Sequence, residues 1–227
     1  MPNSFCVDKI LLLRSNLKQL IMKKFFVAIV ALIGLGSLQA QNVKYGLKGG
    51  LNIANLNVSG EASPSMNSIV NLHIGAFAEF KINKKVAFQP ELLYSMQGAK
   101  YSQIINVEGT NYDTNNTLKF AYLNIPLMFK YYPQSQFYFE AGPQLGLLTS
   151  AKVDVDVVGF GSGSDDVKEF FNTVDFGMNV GLGYNFSKNV LVSARYNFGL
   201  TNIADTEPGD NTKMKNSVFS LSLGYIF

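Results

Sequence analysis

The chain has 227 residues, 47% hydrophobic and only 15% charged, with 20 glycines, one cysteine and one histidine. A single cysteine excludes an internal disulfide framework and a thiolate metal centre, and a single histidine excludes a histidine-rich metal site. The formal net charge of +3 comes from the first forty residues: 19 basic residues less Lys9, Arg14, Lys18, Lys23 and Lys24 leaves 14, and 16 acidic residues less Asp8 leaves 15, so residues 41–227 carry −1 and nothing in the composition favours nucleic acid as a partner.

Residues 22–41 read MKKFFVAIVALIGLGSLQAQ. Lys23 and Lys24 precede an apolar run over 25–35 and an exit of mostly small residues ending at Ala40, the layout of a secretory signal peptide cleaved after Ala40. The apolar run is too short to cross a bilayer. Met22 opens this signal by itself, so residues 1–21, which hold the lone Cys6, read as an upstream extension, with Met22 competing with Met1 as the start. The expected organisation is an extension over 1–21, a signal peptide over 22–40 and one domain over 41–227.

Eight segments of that domain alternate with a period of two, which predicts strands. The first, 43–53, sets Tyr45, Leu47, Leu51 and Ile53 against Lys44, Lys48 and Asn52. The second, 71–82, sets Leu72, Ile74 and Phe80 against His73, Glu79 and Lys81. The third, 86–97, sets Phe88, Leu92 and Tyr94 against Gln89, Glu91 and Ser95. The fourth, 118–131, sets Leu123, Ile125, Leu127 and Phe129 against Tyr122, Asn124 and Lys130, and the fifth, 137–150, sets Phe139, Leu145 and Leu147 against Tyr138, Glu140 and Gln144. The sixth, 173–186, sets Phe176, Met178 and Leu182 against Asp175 and Asn179. The seventh, 190–202, sets Val192, Tyr196 and Phe198 against Ser193, Arg195 and Asn197. The last, 216–227, sets Phe219, Leu221, Leu223, Tyr225 and Phe227 against Ser220, Ser222 and Gly224.

No run in 41–227 is long and apolar enough for a membrane helix, so a bilayer could be crossed only by a closed barrel. Connections alternate strictly: short at 83–85, 132–136 and 187–189, long at about 54–70, 98–117, 151–172 and 203–215. Aromatics flank the short turns, as an interfacial girdle requires. A soluble barrel would turn its greasy face inward, but the opposite face here is glycine and small polar residues, too poor in charge for a solvated exterior. The expected fold class is therefore all-β: an eight-stranded antiparallel up-and-down transmembrane β-barrel with four long outside loops and three short periplasmic turns. The expected location is the bacterial outer membrane, with both termini periplasmic.

The inward face carries Lys48, Glu79, Glu91, Lys130, Glu140, Asp175 and Arg195. An eight-stranded barrel is filled by its own side chains, so these charges must pair or meet water. The expected lumen charge network places Glu91 and Glu140 around Arg195, with Lys48 and Glu79 nearby, since a guanidinium fork can serve two carboxylates. It reads as a structural plug, the competing reading being a gated proton or ion path. Tyr225 and Phe227 read as a C-terminal assembly signal. His73, on the inward face near the outer end of the second segment, reads as a polar lumen or rim residue. The segment 151–172, with Asp154, Asp156, Asp165, Asp166 and Glu169, reads as a solvated, mobile loop, with a flexible tip over 159–164. It lacks the twelve-residue calcium-loop pattern, and the tip lacks the lysine and helix of a phosphate loop. No catalytic residue, metal site or cofactor is expected.

Four stretches carry a resemblance: Tyr45-Gly46-Leu47-Lys48-Gly49-Gly50-Leu51-Asn52-Ile53-Ala54-Asn55-Leu56, Gln89-Pro90-Glu91-Leu92-Leu93-Tyr94-Ser95-Met96-Gln97-Gly98, Tyr122-Leu123-Asn124-Ile125-Pro126-Leu127 and Phe139-Glu140-Ala141-Gly142-Pro143. They resemble the first, third, fourth and fifth strands of the PorT-like outer-membrane β-barrel family of Bacteroidetes, which often has glutamate where this chain has Asn124. The resemblance covers essentially all of 41–227 and implies a barrel, with a secretion-accessory role in the founding member. The expected function is non-enzymatic, structural or interacting. The expected partners are outer-membrane lipid, the barrel-assembly machinery and other envelope proteins. Two alternatives stand beside it: a narrow small-solute or ion channel, and a membrane-embedded lipid or peptide hydrolase, which would need a serine or carboxylate within reach of His73 at the outer rim.

Overall fold

The computed structural model of the protein describes residues 43–60, 65–107, 110–157, 161–206 and 211–227. The expected extension and signal peptide lie outside these residues. In chain order the strands are β1 (Val43–Ser59), β2 (Asn67–Lys81), β3 (Val86–Val107), β4 (Thr110–Tyr131), β5 (Phe137–Val157), β6 (Gly161–Asp166), β7 (Val174–Asn185), β8 (Val190–Gly199) and β9 (Lys213–Ile226), with one 3-10 turn over Lys168–Phe170. Every pairing is antiparallel. Eight strands close a ring, with β1 joined to β9 and β4 to β5, while β6 pairs only with the far end of β5.

Two of the three short turns are built by local side-chain chemistry. Asn83 Oδ1 accepts the backbone N–H groups of Lys85 and Val86, both at 2.8 Å. Ser187 Oγ does the same for Asn189 and Val190 at 3.2 and 3.1 Å. Such Asn and Ser side chains replace backbone partners in a tight reversal.

The two faces have opposite chemistry. Val70, Leu72, Ile74, Leu223 and Phe227 are 60–71% exposed on the outside, whereas Lys48, Glu91, Glu140 and Arg195 are 3–6% exposed within. Among the described residues no helix is long and apolar enough to cross a membrane. Strands do the crossing instead, each hydrogen-bonded to a neighbour on both sides around the ring.

β7 and β8, of 12 and 10 residues, match the roughly 9–11 residues that a tilted strand needs to cross. β3, β4 and β5, of 22, 22 and 21 residues, are about twice that length. Here the structure corrects the sequence reading: most of the expected loops 98–117 and 151–172 are paired strand, including β6 over 161–164 of the supposed flexible tip, whose residues 159 and 160 lie outside the described residues. The physical reason is an inversion of polarity. Beyond the greasy belt the inward residues become apolar, including Leu118, Phe120, Leu148 and Ala151, while Lys119 and Lys152 face outward. A greasy-out pattern therefore ends there although the strands continue.

Gly98 stands at this change, between the polar inward residue Gln97 and the buried Ala99. Its φ is +141°, and a Cβ would lie 2.0 Å from the carbonyl oxygen of Leu118. Gly98→Ala is expected to lower stability by at least about 1–3 kcal/mol, read from urea midpoints of barrel folded in lipid vesicles.

Candidate functional site in the barrel lumen

The lumen is stacked in tiers, each fixed by the inward phase of several strands. At the turn end, Glu79 of β2 takes Lys130 Nζ at 3.2 Å and the Tyr132 hydroxyl at 2.7 Å on one oxygen. Lys130 also sits 4.0 Å from the centre of the Tyr138 ring. A desolvated ammonium on a ring face gains further attraction.

The central tier is built on Arg195 of β8. Its Nη1 and Nη2 donate to the two oxygens of Glu91, both at 2.9 Å, and its Nε donates to Glu140 at 2.9 Å. Lys48 of β1 reaches Glu91 at 3.0 Å, and Gln89 Nε2 donates to the same carboxylate at 2.7 Å. Two cations and two carboxylates balance. The fork geometry of arginine is what lets one side chain bridge β3 and β5 across the lumen.

Next comes a tier of amides and hydroxyls. Asn52 Nδ2 donates to Ser95 Oγ and to the Met96 carbonyl, both at 2.9 Å. Its Oδ1 must therefore accept from His73 Nδ1 at 2.8 Å, as it does from the Ser220 hydroxyl at 2.8 Å. This assigns His73 the Nδ1–H tautomer and leaves Nε2 to accept the Ser222 hydroxyl at 2.8 Å. Asn179 and Asn197 continue the tier at 3.1 Å. Above them Asp175 accepts from Thr201 at 2.6 Å and from Asn216 at 2.8 Å. The apolar cluster of Leu56, Phe120, Tyr122, Leu148 and Ile203 then fills the loop end.

The sequence-expected residues thus divide. Lys48, Glu91, Glu140 and Arg195 meet in one tier. Glu79 makes its contacts one tier away, with Lys130 on β4 and Tyr132 just past its end. Tyr225 and Phe227 lie outward at the turn end, 52% and 71% exposed, with rings 5.7 Å apart. Sequence reasoning missed the asparagine tier and the apolar plug. The inward phase that selected the charges was the signal that could have found both.

The matched family model is described as outer membrane protein beta-barrel domain and spans residues 39–205. The chain belongs to this family. Comparison with curated proteins finds no match. Among solved structures it is similar to Ail, the attachment invasion locus protein of Yersinia pestis, at 14% identity and a TM-score of 0.43, covering 82% of this chain and 100% of that one. It is also similar to Neisserial surface protein A, at 16% identity, 81% and 97% coverage and a TM-score of 0.40. OprG from Pseudomonas aeruginosa follows at 12% identity, 82% and 96% coverage and a TM-score of 0.39. The protein is an outer-membrane β-barrel of the bacterial envelope.

Within this family barrel the Ser222–His73–Asn52 chain has the order of a nucleophile, a base and an orienting amide. It lies inside the lumen, not at the rim, against a cavity of about 30 Å³. That space suits a water, not an acyl substrate. Among the described residues no three His, Cys, Asp or Glu side chains are grouped to hold a metal ion. Removing the imidazole takes one of two donors from Asn52 Oδ1 and the acceptor from the Ser222 hydroxyl. His73→Ala is expected to cost about 1–3 kcal/mol in a vesicle-based urea titration.

Proposed function

We propose that this outer-membrane barrel is a non-enzymatic structural or interaction protein and not a conduit. The observation that carries the reading is the filled lumen: a neutral ion-pair tier around Arg195 and, in series with it, an apolar plug around Phe120. An apolar plug and a charge-balanced ion-pair tier oppose both the channel and the proton-path alternatives. The enclosed position of Ser222 and His73 opposes the hydrolase alternative.

The surface for partners is the sheet of β3, β4, β5 and β6 beyond the greasy belt, the most elaborated part of the chain. We place it outside the cell, with the short turns and both termini in the periplasm. The long–short alternation of the connections supports this, as small outer-membrane barrels have short periplasmic turns. Tyr225 and Phe227 serve as the terminal signal for the barrel-assembly machinery. The motif resemblance given above supports a PorT-like, secretion-accessory role among the envelope proteins it would contact.

The test is planar-bilayer recording of purified, refolded protein. A silent bilayer is expected at physiological voltage and salt. Reproducible single-channel steps would overturn the closed-lumen reading.

A further inference from the structure

The turn end has a charge pattern that the lumen reading does not use. Lys44, Lys81, Lys84, Lys85 and Lys188 all lie there, and none makes an ion pair among the described residues. The described stretches forming this end, 43–45, 80–87, 130–138, 184–191 and 225–227, contain no aspartate or glutamate. Apart from the terminal carboxyl group, the nearest acid is Glu79, which takes Lys130 and Tyr132 on one oxygen and stands opposite Lys44 in register. The loop end differs: Asp154 faces Lys119 in an ion pair, and Asp166 pairs in register with Lys152.

Three of the five lysines converge. Lys44, Lys81 and Lys188 line a hollow of about 320 Å³ in the barrel mouth, together with Gln136, Asn185 and Ser187 and a single acid, Glu79. Lys44 and Lys81 share the inward phase of Glu79 across the β1–β2 pair, so they face the aqueous mouth and not the lipid girdle. Lys81 leans toward the ring of Tyr132.

We infer that this vestibule docks an acidic peptide segment of a partner protein from the compartment the turn end faces. The inference rests on the interaction reading above and names a partner chemistry for it. Three ammonium groups around a hollow that holds one carboxylate leave an excess of positive charge, which concentrates counter-charge and steers an anionic partner in. The lining favours carboxylates over a phosphate group. Beside the one carboxylate of Glu79 it holds flexible point-charge lysines with amide and hydroxyl side chains, and no arginine fork of the kind that fixes a phosphate. The inward aim of Lys44 and Lys81 disfavours lipid headgroups, which lie outside the ring.

The experiment uses residues 41–227 folded in nanodiscs of zwitterionic lipid and a fluorescein-labelled hexaglutamate peptide, read by anisotropy. Salt-sensitive binding is expected, with hexaglutamine silent. The combined Lys44→Gln, Lys81→Gln and Lys188→Gln variant should lose roughly tenfold or more in affinity. A loop-end control, Lys100→Gln with Lys213→Gln, should bind as the parent does. No binding by the parent, or equal loss in the control, overturns the proposal. So does inorganic phosphate or phosphatidylglycerol in the disc engaging the same three lysines while the peptide does not. Bilayer recording of the same preparation keeps the two readings apart: a silent barrel that ignores the peptide loses only the vestibule, whereas a conducting barrel loses the closed-lumen function. Circular dichroism of each variant confirms that the barrel has folded.

Discussion

Arg195→Met should lower the unfolding free energy of the barrel by about 3–5 kcal/mol, the largest expected effect of any single charge in the molecule. Arg195 makes three hydrogen bonds to two carboxylates. Without it Glu91 keeps Lys48, but Glu140 makes no other ion pair among the described residues. A buried carboxylate left in that state cannot recover its lost hydration, and the penalty is that of an uncompensated charge. Urea titration in vesicles should show the midpoint fall, and the folded gel band should convert to the unfolded one at a lower temperature.

Two companions make the cause legible. Arg195→Met with Glu140→Gln restores the charge balance and should recover much of the loss, so the pair shows coupling in a double-mutant cycle. Arg195→Lys keeps the charge but offers no fork, and should fall between the parent and Arg195→Met. A loss below about 1 kcal/mol for Arg195→Met would mean that water screens the tier, since solvent-exposed pairs contribute about that little. The lumen would then be wet. The exposed Lys119–Asp154 pair supplies the contrast: Lys119→Gln should leave the midpoint where it is.

These residues also show how far the sequence could be read. Strand period, face polarity and turn spacing placed the ring of eight, because a lipid-facing wall forces apolar residues onto alternate positions. The same phase identified Lys48, Glu91, Glu140 and Arg195 as inward, and a lumen without bulk solvent forced them to pair. Height along the barrel axis was not legible. Glu79 and Glu91 share a phase across β2 and β3, yet register puts Glu79 level with Lys44 and Glu91 level with Phe77. That offset gives Glu79 to Lys130. Nor was the reach of β3, β4 and β5 legible, since beyond the membrane belt nothing requires an apolar exterior. Lys119 and Phe120 alternate there as in a water-soluble sheet, with the apolar member inside.

That inversion gives the second large effect. Phe120 is 2% exposed and meets Phe171 edge to face, with ring centres 4.8 Å apart. Phe120→Ala should cost about 3–5 kcal/mol, from lost burial and from the cavity left among Tyr122, Leu148 and Ile203. It should also let water into the lumen from the loop end. With residues 41–227 free of native cysteine, Asn216→Cys reports this: a small thiol reagent should label it rapidly only when Phe120→Ala is also present. Conductance should nevertheless stay at zero, because the Arg195 tier lies below the plug and is untouched. Current in Phe120→Ala alone would mean that the ion-pair tier is no barrier. Current only when Phe120→Ala and Arg195→Ala are combined would place the two closures in series, an apolar one that excludes water and an ionic one that fills the remaining width.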